Sequence, residues 1–403
     1  MTLPSASATA VAEESRPLSG LLTLLFAAAC GLIAANLYYA QPLAGPIGQS
    51  LGMSEAATGL VVTLTQIGYG LGLLFIVPLG DLVENRKLVL ILTAVAGLAA
   101  LGCALSETAT PFLIASLMIG IGSVAVQVLV PFAAHLAPEA SRGRVVGNVM
   151  SGLMAGIMLS RPLASFMADL FSWHAIFIFS LVAMMAIGVI LAFLLPKRVP
   201  QSRMSYPALI ASLGHLFVNE PVLRRRGLYQ ACLFAAFSLF WTVTPLVLAG
   251  PGFGLGQDGI ALFALAGAAG AIASPIAGHW ADKGWIHRVT LFSMLAVASA
   301  FLVTLVVGEG SLFALGVFVL AAIVLDFGVT SNLVVGQRAI YGLSAEHRSR
   351  INGIFMATFF AGGAFGSAVG GWAFAHGGWP TAAMIGATLP VLALAGFATE
   401  RRG

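Results

Sequence analysis

The sequence predicts an all-α polytopic membrane protein, twelve transmembrane helices in two pseudo-symmetric six-helix bundles, and three observations carry that prediction. Of 403 residues, 59% are hydrophobic and 8% charged, whereas a soluble domain carries about 25% charged residues. Long apolar segments follow one another along nearly the whole chain. They lack the alternation of a membrane barrel, and a backbone in lipid must then satisfy its hydrogen bonds within each helix. The second half also repeats the first: one constant offset superposes Arg142 on Arg348, Arg144 on Arg350, Gly147 on Gly353, Met150 on Met356, Gly156 on Gly362 and Trp173 on Trp379.

Roughly 20 apolar residues cross the hydrocarbon of a bilayer. On that measure the spans start near Leu18, Glu55, Leu88, Pro111, Val145, Trp173, Gly227, Asp258, Val289, Ser311, Ile351 and Trp379, each closing on charges or a Gly/Pro turn. Residues 1–17 read as a disordered tail, rich in Ser and Ala with Glu13, Glu14 and Arg16. They have neither the basic start nor the cleavage site of a signal peptide. Spans one to six occupy 18–195, a linker 196–226, spans seven to twelve 227–399, and a short tail 400–403. Cys30, Cys103 and Cys232 fall far apart within apolar spans, so they read as small packing residues and not as disulfides or metal ligands.

Every Lys and Arg except Arg161 falls in the tails, in the central linker or in loops on one side of the predicted spans. The positive-inside rule makes that side the cytoplasm, with both termini there. The opposite loops carry Glu55, Glu107, Asp169, Asp258 and Glu309 and no Lys or Arg. The net charge of +4 is therefore a topological signal; the basic residues are spread over short loops and form no aromatic-lined patch for nucleic acid.

Two parallel six-span halves joined by a basic loop suit a rocking-bundle transporter with its substrate near mid-membrane. After span two the chain reads Pro78-Leu79-Gly80-Asp81-Leu82-Val83-Glu84-Asn85-Arg86-Lys87, and after span eight Gly278-His279-Trp280-Ala281-Asp282-Lys283-Gly284; a Pro138-Glu139 turn leads into Arg142-Gly143 after span four. In these motifs the chain resembles the major facilitator superfamily, in particular its drug/proton antiporters, although Val77, Leu82 and Glu84 stand where the family pattern has Gly, Arg and Gly. The resemblance implies that family's fold and alternating access. It also implies a monomer in a bacterial inner membrane, driven by the proton gradient without a cofactor. A conformational latch is implied too, in which Asp81 accepts hydrogen bonds from a neighbouring helix N-terminus and pairs with an Arg in one conformation only. Arg86, Lys87, Glu139, Arg142, Asp282, Arg348 and Arg350 are its other candidates. The plainer alternative is a set of solvated loop charges.

Gly152, Gly156, Ser160 and Ala164 recur every four residues in span five, a small-residue face that lets another helix approach closely. The stripe is similar to the family's Gly-x-x-x-Gly-Pro antiporter motif, with Ser160-Arg161-Pro162 where Gly-Pro is usual. Gly362, Gly366 and Gly370 repeat it in span eleven, and both stripes are expected to pack the halves together. The arginine that many proton-coupled relatives carry in span four is absent; Ser116 stands in its place.

Two ionisable residues lie deep in the spans, Arg161 in span five and Asp326 in span ten, and such residues are functional hypotheses by default. At 1.5 Å per residue they sit about 25 and about 18 Å from the cytoplasmic ends of their helices, a difference an Arg side chain covers. Asp326 is the proton-coupling candidate and Arg161 the partner whose approach changes its affinity for a proton. The alternatives are a permanent ion pair between the halves, or separate bonding of each group to backbone and water. In the family, spans one, four, seven and ten line the cavity, which offers Asn36, Tyr38, Tyr39, Gln41, Gln127, His135, Trp241, Thr242, Ser331, Asn332 and Gln337 as substrate contacts. For single members the competing roles are interfacial anchor (Tyr38, Trp241) and helix cap (Gln337). Phe234, Phe237, Phe240, Met154 and Met158 suit an amphipathic substrate.

No Gly-x-x-x-x-Gly-Lys-Ser/Thr loop, zinc-ligand spacing or nucleophile constellation occurs in the sequence. An enzyme or ATP-driven pump is therefore not expected. The reading is a secondary transporter that exports a small amphipathic molecule against proton entry. Proton-linked or facilitated uptake of a metabolite, and a transport-fold receptor without turnover, are the alternatives.

Overall fold

The computed structural model describes residues 20–200, 204–308, 310–344 and 347–400. The expected N-terminal tail, the start near Leu18, Glu309 and the terminal Arg401 and Arg402 lie outside them, as does Arg203 of the linker. The described residues are helical: α1 (Gly20–Ala35), α2 (Ala44–Ser50), α3 (Leu60–Phe75), α4 (Asn85–Ala104), α5 (Ala109–Ser123), α6 (Ala125–Leu136), α7 (Arg142–Leu170), α8 (Trp173–Leu194), α9 (Tyr206–Asn219), α10 (Pro221–Ala249), α11 (Gln257–Ala264), α12 (Ala269–Asp282), α13 (Ile286–Leu305), α14 (Leu312–Tyr341) and α15 (Arg348–Ala398).

Among them 10 continuous helical stretches are long and apolar enough to cross a membrane, and α1 is a shorter apolar helix. The 51-residue α15 is two spans, because Gly377 and Gly378 leave helical geometry and Gly378 adopts φ +62°. A side chain is strained in that left-handed conformation, so glycine permits the reversal, and Trp379-Pro380 opens the last span. Twelve crossings result. Their Lys- and Arg-bearing ends form one face of the molecule, the basic face.

Three spans are interrupted where they approach the centre. Span one leaves α1 at Asn36 and continues as tight turns, with Leu37 N–H bonded to Ala34 and Tyr38 N–H to Ala35, before Pro42 and α2. Span four breaks at Val124, between α5 and α6. Span eight passes through a 3₁₀ turn at Leu265–Ala268 between α11 and α12. Such tightened segments free the backbone from regular helical spacing and let side chains converge.

Within the first half α1 packs on α7, α3 on α5, and α4 on α5 and α8; within the second, α10 packs on α15, and α14 on α12 and α13. The glycine stripes explain two of these contacts and correct the expectation that they join the halves. A Cβ on Gly152 meets the Ala27 side chain and backbone of α1 at 2.5–2.7 Å, and Gly156 lies against Gly31. In the other half Gly362 and Gly366 abut the α10 backbone at Ala231 and Ala235. Each stripe therefore seals its own bundle, through equivalent span pairs. Ser160 turns back onto the Ile157 carbonyl at 2.6 Å, and Pro162 is carried inside α7.

The halves meet where α3 packs on α15 and α7 on α11. Among the described residues, side-chain hydrogen bonds cross that boundary between the Thr63 and Ser367 hydroxyls at 2.8 Å and from Gln66 Nε2 to Ser238 Oγ at 2.7 Å. On the basic face, the linker helix α9 touches the turn after α3 as well as α10 and α15, and the Tyr206 hydroxyl donates to the Phe75 carbonyl at 2.8 Å.

Candidate functional site

The interrupted spans and α7, α10 and α14 bring one buried polar cluster together between the halves. Arg161 and Asp326 are 3% and 4% exposed. Charges so far from water require compensation. Arg161 Nε donates to Gln41 Oε1 at 2.8 Å. Its guanidinium lies 4.5 Å from the ring centroid of Trp241 and 5.1 Å from those of Tyr38 and Phe237. Planar, delocalised and weakly hydrated, a guanidinium is suited to such an aromatic enclosure.

Across the same indole, Trp241 Nε1 donates to Asp326 Oδ1 at 2.8 Å. Among the described residues the direct ion pairs are Lys87–Glu84, Arg226–Glu400 and Arg338–Asp282, so Arg161 and Asp326 interact without one. Gly267, in the 3₁₀ turn of span eight, occupies the gap. A Cβ there meets Asp326 Oδ2 and Trp241 Cζ2 at 3.1 Å and Arg161 Nη1 at 3.3 Å. Arg161 Nη2 and Gln41 Nε2 are buried donors with no partner among the described residues.

The other sequence candidates separate into three groups. Gln127 donates to the Tyr69 hydroxyl at 2.9 Å, and the Tyr69 ring lies 4.4 Å from that of Phe360 in the other half. Asn332 donates to Gln230 Oε1 at 2.7 Å, while Thr242 and Ser331 are buried with hydroxyls that bond to no described residue. Asn36 and Tyr39 turn away from the boundary. Asn36 accepts from Ser180 and contacts the Met184 sulfur within the first bundle, and Tyr39 packs in an apolar cluster with Leu43, Phe112 and Trp173. His135 is exposed at the basic end of α6, and Gln337 bonds Asn352 on α15 at 3.2 Å. Tyr38 and Trp241 are buried in the centre and do not serve as interfacial anchors.

Residues missing from the sequence reading include Gln66, Ser238, Thr63 and Ser367, which join the halves, Gln230, which holds Asn332, and Gly267. A lone amide in an apolar span was the available signal for Gln66 and Gln230. Gly267 sits in a run of Gly and Ala that carries no such signal.

In this conformation the latch candidates bond within their own half or to the linker. The exception is Asp81, whose side chain makes no hydrogen bond or ion pair with another described residue, and Glu139 is exposed. Arg86 donates to the Ala192 carbonyl, Lys87 pairs with Glu84 at 3.5 Å, and Arg142 donates to the Ala134 carbonyl at 3.1 Å. Asp282 pairs with Arg338 at 3.5 Å, Arg348 donates to the Tyr341 carbonyl at 3.2 Å, and Arg350 reaches the Met204 sulfur.

Comparison with known proteins agrees with this architecture. The profile of the Major Facilitator Superfamily matches residues 24–333 and 267–402. The putative transporter YgaY of Escherichia coli strain K12 is 37% identical over 382 residues, 95% of this chain and 96% of that one. The purine ribonucleoside efflux pump NepI of E. coli strain 536 is 25% identical over 93% of this chain and 92% of its own. The crystal structure of the nucleoside transporter NupG superposes with a TM-score of 0.74 at 16% identity, covering 94% of this chain and 99% of that chain, a likeness of fold. A profile match over most of the length, full-length transporter relatives and two six-helix bundles closed around a buried polar cluster place the chain in the Major Facilitator Superfamily, as a transporter and not an enzyme.

Proposed function

We propose that the protein is a proton-coupled secondary transporter that exports a small amphipathic molecule across the bacterial inner membrane. The observation that carries this reading is the origin of the buried charges: α7 of the first half supplies Arg161, and α14 of the second supplies Asp326. When the halves rock, the distance between these groups changes, and with it the interaction that sets the proton affinity of Asp326. Trp241 ties Asp326 to the aromatic wall around Arg161, so a ring-bearing substrate that displaces the indole perturbs both charges at once.

Export is supported by the likeness to NepI, a purine ribonucleoside efflux pump. The proton gradient is the energy source in this reading, with no cofactor. The working unit is a monomer, and the basic face with both termini is cytoplasmic under the positive-inside rule. The candidate substrate contacts are Tyr38, Gln41, Trp241 and Thr242 near the charges and Gln127, Ser331 and Asn332 beside them.

The test is substrate-dependent proton release from purified protein in weakly buffered detergent, over a chemically diverse panel, with Asp326→Asn alongside. Release by wild type that disappears in Asp326→Asn is the expected result. Release that persists in the variant overturns the coupling role, and binding without release by either protein overturns antiport.

A further inference from the structure

A groove runs along the outside of the first bundle between α1 and α7, away from the boundary between the halves. Towards the basic face it opens into a cavity of about 580 Å³ lined by Thr23, Ser141, Arg144, Asn148 and Ser151. It continues as a second cavity of about 350 Å³, lined by Ala28, Gly31, Leu32, Gly152, Ala155 and Leu159 among others. Leu24 and Ala27 line both cavities, so the two form one channel.

Its lining changes character along its length. On α7, Arg144, Asn148, Ser151, Ala155 and Leu159 follow one another on one exposed helix face, charged and polar first and apolar beyond. Neither Arg144 nor Asn148 makes a side-chain hydrogen bond or ion pair with another described residue, leaving a guanidinium and an amide directed to the mouth. The depth comes from Gly31, Gly152 and Gly156, whose missing side chains let the helix axes approach while the flanking residues stand apart. From Gly20 to Ala35 the trough measures about 22 Å at 1.5 Å per residue. One leaflet of hydrocarbon is about 15 Å deep, half of the full core.

The geometry points to a site for one anionic phospholipid, its phosphate on Arg144 and Asn148 and an acyl chain in the trough towards Leu159. A cation and hydrogen-bond donors lie at headgroup level, and an apolar slot from Leu24 to Ala35 follows, about 16 Å long at 1.5 Å per residue and so about one leaflet deep. This is complementary to a lipid from head to tail, and a guanidinium matches phosphate geometry. The groove is distinct from the buried cluster, because Arg144, Asn148, Ser151, Ala155 and Leu159 lie on an exposed face of α7 whereas Arg161 of the same helix is buried.

Native mass spectrometry of the detergent-purified full chain with phosphatidylglycerol or phosphatidylethanolamine tests the assignment. The expected result is one phosphatidylglycerol retained at collision energies that strip phosphatidylethanolamine. That adduct is lost in Arg144→Ala and in Ala155→Trp, which fills the trough from an exposed position, and kept in Arg288→Ala elsewhere on the basic face. Equal retention of the two lipids, an adduct unchanged in Arg144→Ala, or equal loss in Arg288→Ala overturns the site. Circular dichroism and melting of each variant separate lost binding from lost fold.

Discussion

Trp241 binds Asp326 through its indole N–H at 2.8 Å and offers its ring to the guanidinium of Arg161 at 4.5 Å. One side chain thus links a buried anion and a buried cation from opposite halves. Trp241→Phe keeps much of the ring and removes the donor. A hydrogen bond to a charged group contributes about 1.5–3 kcal/mol, so the variant should melt lower in a thermal-shift assay and show an altered pH profile of proton release. An unchanged profile would assign the bond to packing alone.

Gly267 is expected to tolerate no side chain. The methyl of Gly267→Ala meets Asp326 Oδ2, Trp241 and Arg161 at 3.1–3.3 Å, whereas Gly316→Ala meets nothing within 4 Å. Overpacking costs about 1–3 kcal/mol, and Ala in an exposed helix interior is favoured over Gly by about 0.5–1 kcal/mol. Gly267→Ala should therefore lower both the melting temperature and transport, with Gly316→Ala neutral or stabilising. Equal behaviour of the two would contradict the close approach of span eight.

Arg161 and Asp326 should be energetically coupled although they form no direct ion pair. Removing either group takes away the nearest opposite charge and leaves Arg161 with Gln41 and its rings, or Asp326 with Trp241, so each single loss should stay below the loss of about 3–5 kcal/mol from breaking a direct buried pair. In a double-mutant cycle, Arg161→Gln with Asp326→Asn should be less destabilised than the two single losses together, by about 1 kcal/mol or more. Additive losses would mean that each charge is compensated separately by its own surroundings. Arg161→Lys should not restore wild-type behaviour, since an ammonium lacks the planar face that meets three rings and the fixed Nε donor to Gln41.

The contact between Thr63 and Ser367 offers a test of movement. Their hydroxyls are 2.8 Å apart across the boundary between the halves. Cysteines at both positions should cross-link under mild oxidation, arrest transport, and release it again on reduction. Undiminished transport by the oxidised, cross-linked protein would show that these spans stay together throughout the cycle.

Much of the architecture is local and was legible in the chain. Whether a segment crosses a bilayer depends on its own length and polarity, so twelve crossings, including the reversal before Trp379, follow from hydropathy with Gly and Pro punctuation. The repeat, with Asp81 and Asp282 at matching loop positions, likewise indicates two equivalent bundles. Arg161 and Asp326 stand out because a charge in an apolar span is conspicuous wherever it points.

What only the tertiary structure decided is which residues face one another. A sequence records depth along each helix but not the rotation of that helix or the identity of its neighbour. The glycine stripes announce a close approach, yet their partners, Ala27 and Gly31 for one and Ala231 and Ala235 for the other, lie within each bundle and not across it. Asn36 and Gln41 sit five residues apart in one polar run, and the turns after α1 send the first into the bundle and the second onto Arg161. The insertion of Trp241 between the two charges and the bare surface of Gly267 beside them depend on three helices and a 3₁₀ turn from both halves meeting at one depth, a condition that no single segment encodes.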